Sequence, residues 1–259
     1  MFLEFMNREM AMDDTNSWVT PLPFRSPRRW LPNNREQALS RLTSLLRTLE
    51  RKPKMKADFV AFMQNIFDRN QAELAPPLKE GDECWYLPIF GVYHPQKPDK
   101  IRVVFDSSAQ YHSISLNDVL LTGPDLNNSL LGVLLRFRRE TIAVIADIEQ
   151  MFHSFLVRED NRDFLRFLWF KENDPNQEIV EYRMKVHVFG NSPSPAVAIY
   201  GLRRAAEHGA GEYGMDAKHF RGTRLLRRRW AHVAPVSHRS HRSADKDTGN
   251  AGHFKSETP

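Results

Sequence analysis

The chain has 259 residues, 41% of them hydrophobic and 27% charged, enough apolar side chains for one large domain or two small ones. No run approaches the ~20 apolar residues that span a bilayer, and the acidic start MFLEFMNREMAMDD lacks the basic character of a signal or transit peptide. An intracellular protein with no membrane partner is therefore expected, cytoplasm and nucleus being equally open. Cys84 is the sole cysteine, which excludes an intrachain disulfide and a cysteine-built zinc cage.

Residues 1–32 close on the proline-punctuated stretch WVTPLPFRSPRRWLP. Each proline biases its predecessor away from the helical region, so this part reads as an extended lead-in or linker. Residues 33–82 read as a helical lead-in. Asn34 stands where it can cap a helix with Ala38, Leu39, Leu42, Leu45, Leu46 and Leu49 on one face; after a break at Pro53, residues 57–70 repeat the spacing with Phe59, Val60, Phe62, Met63, Ile66 and Phe67. Two such segments predict a helical hairpin whose role is packing.

From Cys84 the period changes. CWYLPIFGVYH and KIRVVFD are short β-branched or aromatic runs separated by HPQKPD, which suits a turn, and Pro88 suggests an edge or a bulge in the first. A helix is expected over residues 126–138, capped near Asp125 or Asn127. TIAVIAD reads as a buried strand ending in Asp147, DFLRFLWF and VEYRMKVHVF as a hairpin, and SPSPAVAIYGLRRAAEHG as a proline-started helix. Helices interleaved with largely antiparallel strands define an α+β domain over residues 83–220.

Charge separates the last stretch from the rest. Residues 221–259 hold nine Lys or Arg against Asp245, Asp247 and Glu257, a net +6, whereas the whole chain carries +5, which leaves −1 for residues 1–220. This tail also holds four histidines and shows no helical or alternating apolar period, so it reads as disordered. A basic arm for nucleic acid or a nuclear address at Arg227–Arg229 is the functional alternative.

Several residues have two readings when taken alone. A carboxylate at the exit of a buried strand, as at Asp147, suits a metal or catalytic group, and equally a cap or turn. Phe152 alone is ordinary core packing, Lys100 and Arg102 are exposed strand charges, and Gly190-Asn191-Ser192-Pro193 is a turn into a helix.

Taken together, these blocks resemble a known family. ADIEQMF, KIRVVFD with SLNDVLL, and FGNSPSPAVA stand in the order and approximate spacing of motifs in reverse transcriptases of long-terminal-repeat elements. The wording of WVTPLPFRSPRRWLPNN and LLRFRRETIAVIADIEQMFHSFLV is similar to the Pao/BEL retrotransposon family. The resemblance covers about residues 1–219 and implies the partial fingers and palm of a right-hand RNA-directed DNA polymerase.

It also implies roles. Asp147 matches the first metal-binding aspartate of the palm, and the backbone carbonyl of Ile148 an additional oxygen on the nucleotide-side Mg²⁺. Phe152 matches the aromatic gate that collides with a 2′-hydroxyl and so selects deoxynucleotides. Lys100 and Arg102 match the basic positions that hold the incoming triphosphate. Gly190 permits close backbone approach in the nucleotide and template pocket, and Ser194 and Pro195 start the helix beneath the template. The implied partners are an RNA or DNA template-primer and deoxynucleotides.

Templated synthesis of this kind uses two Mg²⁺ ions about 3.5–4 Å apart, held by two or three carboxylates. In the family the partners of Asp147 come from a Tyr-Val-Asp-Asp hairpin. Here HGAGEYGMDAKHF is followed by RGTRLLRRRWAHV, and Asp245 and Asp247 lack the apolar flanks of a tight hairpin. The genetic code suggests where the motif went. One permitted spelling of Arg224–Trp230, with the third positions chosen, is CGA CTT CTA CGT CGA CGA TGG, and one base later the same bases spell Asp-Phe-Tyr-Val-Asp-Asp. A frameshift near Phe220 is therefore expected, with residues 221–259 as wrong-frame translation.

Three readings follow: an intact minimal polymerase, which the missing aspartates oppose; a non-catalytic nucleic-acid-binding product of a retroelement; and a relic reading frame. Loss of the hairpin that normally pairs beside the Asp147 strand predicts an unpaired apolar edge there.

Overall fold

Helix α1 (Phe2–Glu9) opens the chain and is followed by β1 (Ala11–Met12) and β2 (Trp18–Thr20). The computed structural model describes residues 1–138, 143–146, 148–213 and 232–235. Residues 1–32 therefore depart from the expected extended linker. Phe2 and Met6 lie one turn apart and are both buried, giving the segment a helical apolar face. After β2 the proline-rich stretch continues without a further helix or strand, yet Leu22 and Leu31 are buried in the main core.

Helices α2 (Arg35–Arg51) and α3 (Pro53–Asp68) form the expected hairpin, burying Ala38, Leu42, Leu45 and Leu49 from one and Phe59, Met63 and Ile66 from the other. The second starts earlier than its apolar period suggested, because Pro53 fits the first helical turn, where no backbone donor is needed. Asn34 occupies the N-cap position of α2, but its side chain does not cap the helix. Its amide instead donates to the Tyr86 carbonyl at 2.8 Å and accepts from the Tyr86 N–H at 2.7 Å, while Asn33 accepts from the Arg35 N–H.

Strand β3 (Ala72–Leu74) pairs with β9 (Ile179–Met184), which pairs with β8 (Arg166–Phe170), all antiparallel. The expected β8–β9 hairpin is thus present, and its aromatic residues meet the helices: Phe59 stacks on Trp169 at 5.1 Å and Phe67 tilts on Tyr182 at 4.8 Å. Beside it, Arg166 is 1% exposed, held by Asp163, Glu181 and the Pro76 carbonyl. Glu181 also receives Arg35 and the Tyr86 hydroxyl, joining α2 to this sheet. A guanidinium this deep persists only because every face of it is paired.

The second hairpin is β4 (Ile89–His94) with β5 (Lys97–Phe105), in register from Ile89–Phe105 to Tyr93–Ile101 and irregular beyond, with Pro88 just outside its start. Helix α4 (Leu116–Val119) is a single turn stabilised by a capping box between Ser115 and Asp118. Helix α5 (Leu130–Phe137) begins later than expected, because Asp125 folds an Asx turn with Asn127 and Ser129 accepts from the Gly132 N–H.

Strand β6 (Ala143–Ala146) is paired antiparallel by β10 (His232–Pro235). Four residues of the tail therefore adopt a strand where none was expected, and the edge of β6 expected to stand open is covered. The short run His-Val-Ala-Pro suits this, since a proline at the strand end forfeits a single donor. Strand β7 (Leu156–Val157) runs parallel to β2.

Helix α6 (Ser194–Tyr213) packs with α1 and Phe155 in a second core containing Phe2, Met6, Met10, Ala196, Val197 and Leu202. Gly201 lets α6 lie against the Phe155 ring, which any β-carbon there would overlap. The result is an α+β architecture. Among the described residues, no helix is long and apolar enough to cross a membrane.

Candidate functional site

The turn between β9 and α6 is tightly constrained. Gly190 has φ +122°, and a β-carbon on it would stand 2.5 Å from the Phe105 carbonyl oxygen at the end of β5. Only glycine takes both that backbone conformation and that approach. Gly190 thus stands in close backbone contact, and the neighbour it approaches is the KIRVVFD strand.

Helix α4 closes the same turn from the other side. Asn117 donates to the Gly190 carbonyl at 3.0 Å and to Ser108 Oγ at 2.9 Å, and accepts from the Ser192 N–H at 2.8 Å. Its own N–H reaches the Ser107 carbonyl, and the Ser107 hydroxyl donates to Asn191 Oδ1. Ser194 Oγ donates to the Val188 carbonyl at 2.8 Å, and Pro195 follows as the second residue of α6. Three sequence blocks separated by up to about a hundred residues thus meet in one hydrogen-bonded knot. Two buried atoms in it, Asn191 Nδ2 and Ser192 Oγ, have no hydrogen-bond partner among the described residues.

Phe189 projects from this knot, 49% exposed. The guanidinium of Arg102 lies over its ring at 5.6 Å, within cation–π range, and the Phe152 ring faces it at 6.0 Å and 31°. Arg102 and Phe152, assigned to triphosphate and sugar by resemblance, are therefore brought together through a residue to which the sequence assigned nothing. Lys100 is exposed at the irregular end of the β4–β5 hairpin and makes no ion pair among the described residues.

Phe152 sits in a tight turn, Met151–Ser154, whose placement comes from side chains of the α3–β3 corner. Glu149 pairs with Arg69 at 3.0 Å; Gln150, at φ +49°, donates to Asn65 and accepts from Gln71 at 2.6 Å; His153 Nδ1 lies 3.0 Å from Gln71 Oε1. Burial, with Arg69 nearby, pushes the His153 imidazole down to about 4, so it is neutral at pH 7. Ile148 is half-buried against the second core with Met151 and Phe152. Asp147 lies outside the described residues.

A pair of Mg²⁺ ions needs several hard oxygen donors. The strand lying beside β6 presents His232, Val233, Ala234 and Pro235, none of them a carboxylate, and no group of three or more His, Cys, Asp or Glu suited to a metal occurs among the described residues. Carboxylates on the neighbouring elements are engaged in structure: Asp118 in the capping box, Asp106 in a turn that accepts from the Ser108 N–H, and Glu149 with Arg69. What the site offers is an aromatic face, a guanidinium over it and a rigid polar turn, a set suited to holding a planar or anionic ligand.

Asn117 and Phe189 carry the arrangement, yet neither was assigned a role from sequence. The Ser-x-x-Asp spacing of Ser115 and Asp118 is a capping-box signal that marks α4, and hence Asn117, as rigidly placed. For Phe189 the only signal was its place beside Gly190. No model of a known protein family matches the chain, and no curated protein matches it.

Proposed function

We propose that the chain is a fingers-and-palm portion of a Pao/BEL-type RNA-directed DNA polymerase that retains a nucleotide-binding surface and does not carry out synthesis. One observation supports this most. The KIRVVFD, SLNDV and FGNSPSP blocks, recognised separately by resemblance, meet at Gly190, and Phe189 there links Arg102 to Phe152. In this reading Arg102 takes phosphate oxygens, Lys100 adds a point charge from the hairpin, and Phe152 lies under the sugar.

The same reading accounts for the lack of chemistry. Extension of a primer needs two metal-held oxygens in line, and the strand beside β6 supplies no carboxylate for them. The protein then acts as a non-catalytic, retroelement-derived binder of nucleotides or nucleic acid.

Equilibrium dialysis with deoxynucleoside and ribonucleoside triphosphates tests the proposal. Deoxynucleotide binding is expected to weaken on the order of tenfold in Arg102→Gln, and the preference over ribonucleotide to shrink on the order of tenfold in Phe152→Ala. Equal binding of both nucleotides by the unaltered chain, unmoved by either change, would sink it. Primer extension on an RNA template with Mg²⁺ would overturn the inactive part alone. Sequencing the transcript across Phe220 decides the frame: codons whose shifted reading lacks Tyr-Val-Asp-Asp rule out the frameshift.

A further inference from the structure

A second surface is built by the FRSPRRW segment. We infer that Trp30, with Arg25 and Arg29, forms a platform for single-stranded nucleic acid. Trp30 is 65% exposed, the most exposed aromatic side chain among the described residues. Its exposure is imposed by its neighbours. Glu83 accepts both Arg28 guanidinium nitrogens at 2.6 Å and the Leu31 N–H at 2.6 Å, and Leu31 is buried, so the residue between them is turned outward on a pinned loop. Arg28 also lies over the Phe24 ring at 4.4 Å. An indole held out this way loses little freedom when a base stacks on it.

The segment itself carries only positive charge, at Arg25, Arg28 and Arg29. Arg25 and Arg29 are exposed and make no ion pair among the described residues; Arg29 reaches only the Ser113 carbonyl, at 3.4 Å. Glu83, which anchors the loop, is neutralised by Arg28, while Glu80 and Asp82 before it are exposed. Exposed His112 and half-exposed Tyr111 follow on the adjoining loop. Unpaired guanidiniums interleaved with aromatic faces fit a flexible phosphate chain whose bases are free to stack, and fit a duplex poorly because its bases are hidden.

Position favours the same partner. The Arg25 N–H donates to the Val119 carbonyl and the Leu121 N–H to the Pro23 carbonyl, so the segment lies along the end of α4. The other side of α4 carries Asn117, which holds Gly190 and Ser192. The platform segment and the candidate site are thus both attached to α4. The inference does not need that site to bind nucleotide, and the two are tested apart.

The test is fluorescence anisotropy of a labelled oligothymidylate with the full chain, tail included in every variant. Trp30→Ala is expected to weaken binding about tenfold and Trp30→Phe to restore most of it, since any aromatic face stacks, whereas Trp30→Leu restores none. Arg25→Gln with Arg29→Gln should flatten the slope of log affinity against log salt by about 1.4, that is ~0.7 for each phosphate no longer neutralised. Deoxynucleotide binding should be unchanged by Trp30→Ala. Oligothymidylate binding that ignores Trp30, or equal Trp30-dependent binding of polyglutamate, would overturn the inference, the latter in favour of an acidic protein partner.

Discussion

The turn at residues 188–194 and the strand β6 with the turn after it are held by different physics. The first is fixed by its own backbone: a glycine packed on a carbonyl, and one asparagine that satisfies two strands of the knot. The second is fixed by borrowed side chains from the α3–β3 corner and by a neighbouring strand without carboxylates. A turn held through backbone groups keeps its geometry when charges around it change, because its contacts are made by uncharged groups. A site whose function rests on charges from a neighbouring strand does not.

The largest effect that can break this contrast is expected at Gly190. Gly190→Ala forces a β-carbon against the Phe105 carbonyl at a φ that other residues avoid, and should destabilise the fold on the order of 3 kcal/mol. Differential scanning calorimetry should then show Tm lower by roughly 6–12 °C. A change of a degree or less would mean that the turn is softer than its packing implies, and the contrast would fail.

Much of this architecture was legible because it rests on local pattern. The α2 and α3 faces, the two hairpins and the start of α6 follow from apolar spacing, prolines and turn residues near in sequence. Gly190 was legible for the same reason. Helix α1 was obscured by the prolines behind it, although Phe2 and Met6 carry its spacing. Asn34 shows the limit of local rules: it stands at the cap position, but tertiary pairing with Tyr86 claims its side chain. Phe189 and Asn117 depend on partners about 40 to 90 residues away, and no local signal encodes those.

The next effect falls where the two regions join. His187 precedes the knot, and its N–H donates to the Phe155 carbonyl in the segment after β6. Its ring is buried with no well-formed hydrogen bond; the Thr20 backbone favours the charged form slightly, but burial dominates and pushes the imidazole down to about 4. The folded form thus keeps this histidine neutral while the unfolded chain protonates near 6.5. Its share of stability is complete above about 6.5 and is lost as pH falls toward 4, about 3 kcal/mol in all. Urea denaturation at pH 7 and pH 4.5 should show this fall, and His187→Leu should flatten it. An unchanged pH slope in that variant would place the acid sensitivity elsewhere, with His153 the next group to test.

The smallest effect sharpens the contrast most, because it separates the knot's shape from its stability. Asn117→Ala removes the donors to Gly190 and Ser108 and the acceptor for Ser192. The half-buried position lets water replace part of the loss, so the expected destabilisation is about 1–2 kcal/mol. The fold survives that loss, but the turn carrying Phe189 is then free to shift against Arg102. Deoxynucleotide affinity should fall with Phe152→Ala and Asn117→Ala alike, although Asn117 itself touches neither ring. If affinity is untouched while stability drops, Phe189 is positioned by its ring contacts with Arg102 and Phe152 rather than by the backbone beneath it. The knot would then be a packing device, and the binding surface would belong to the side chains alone.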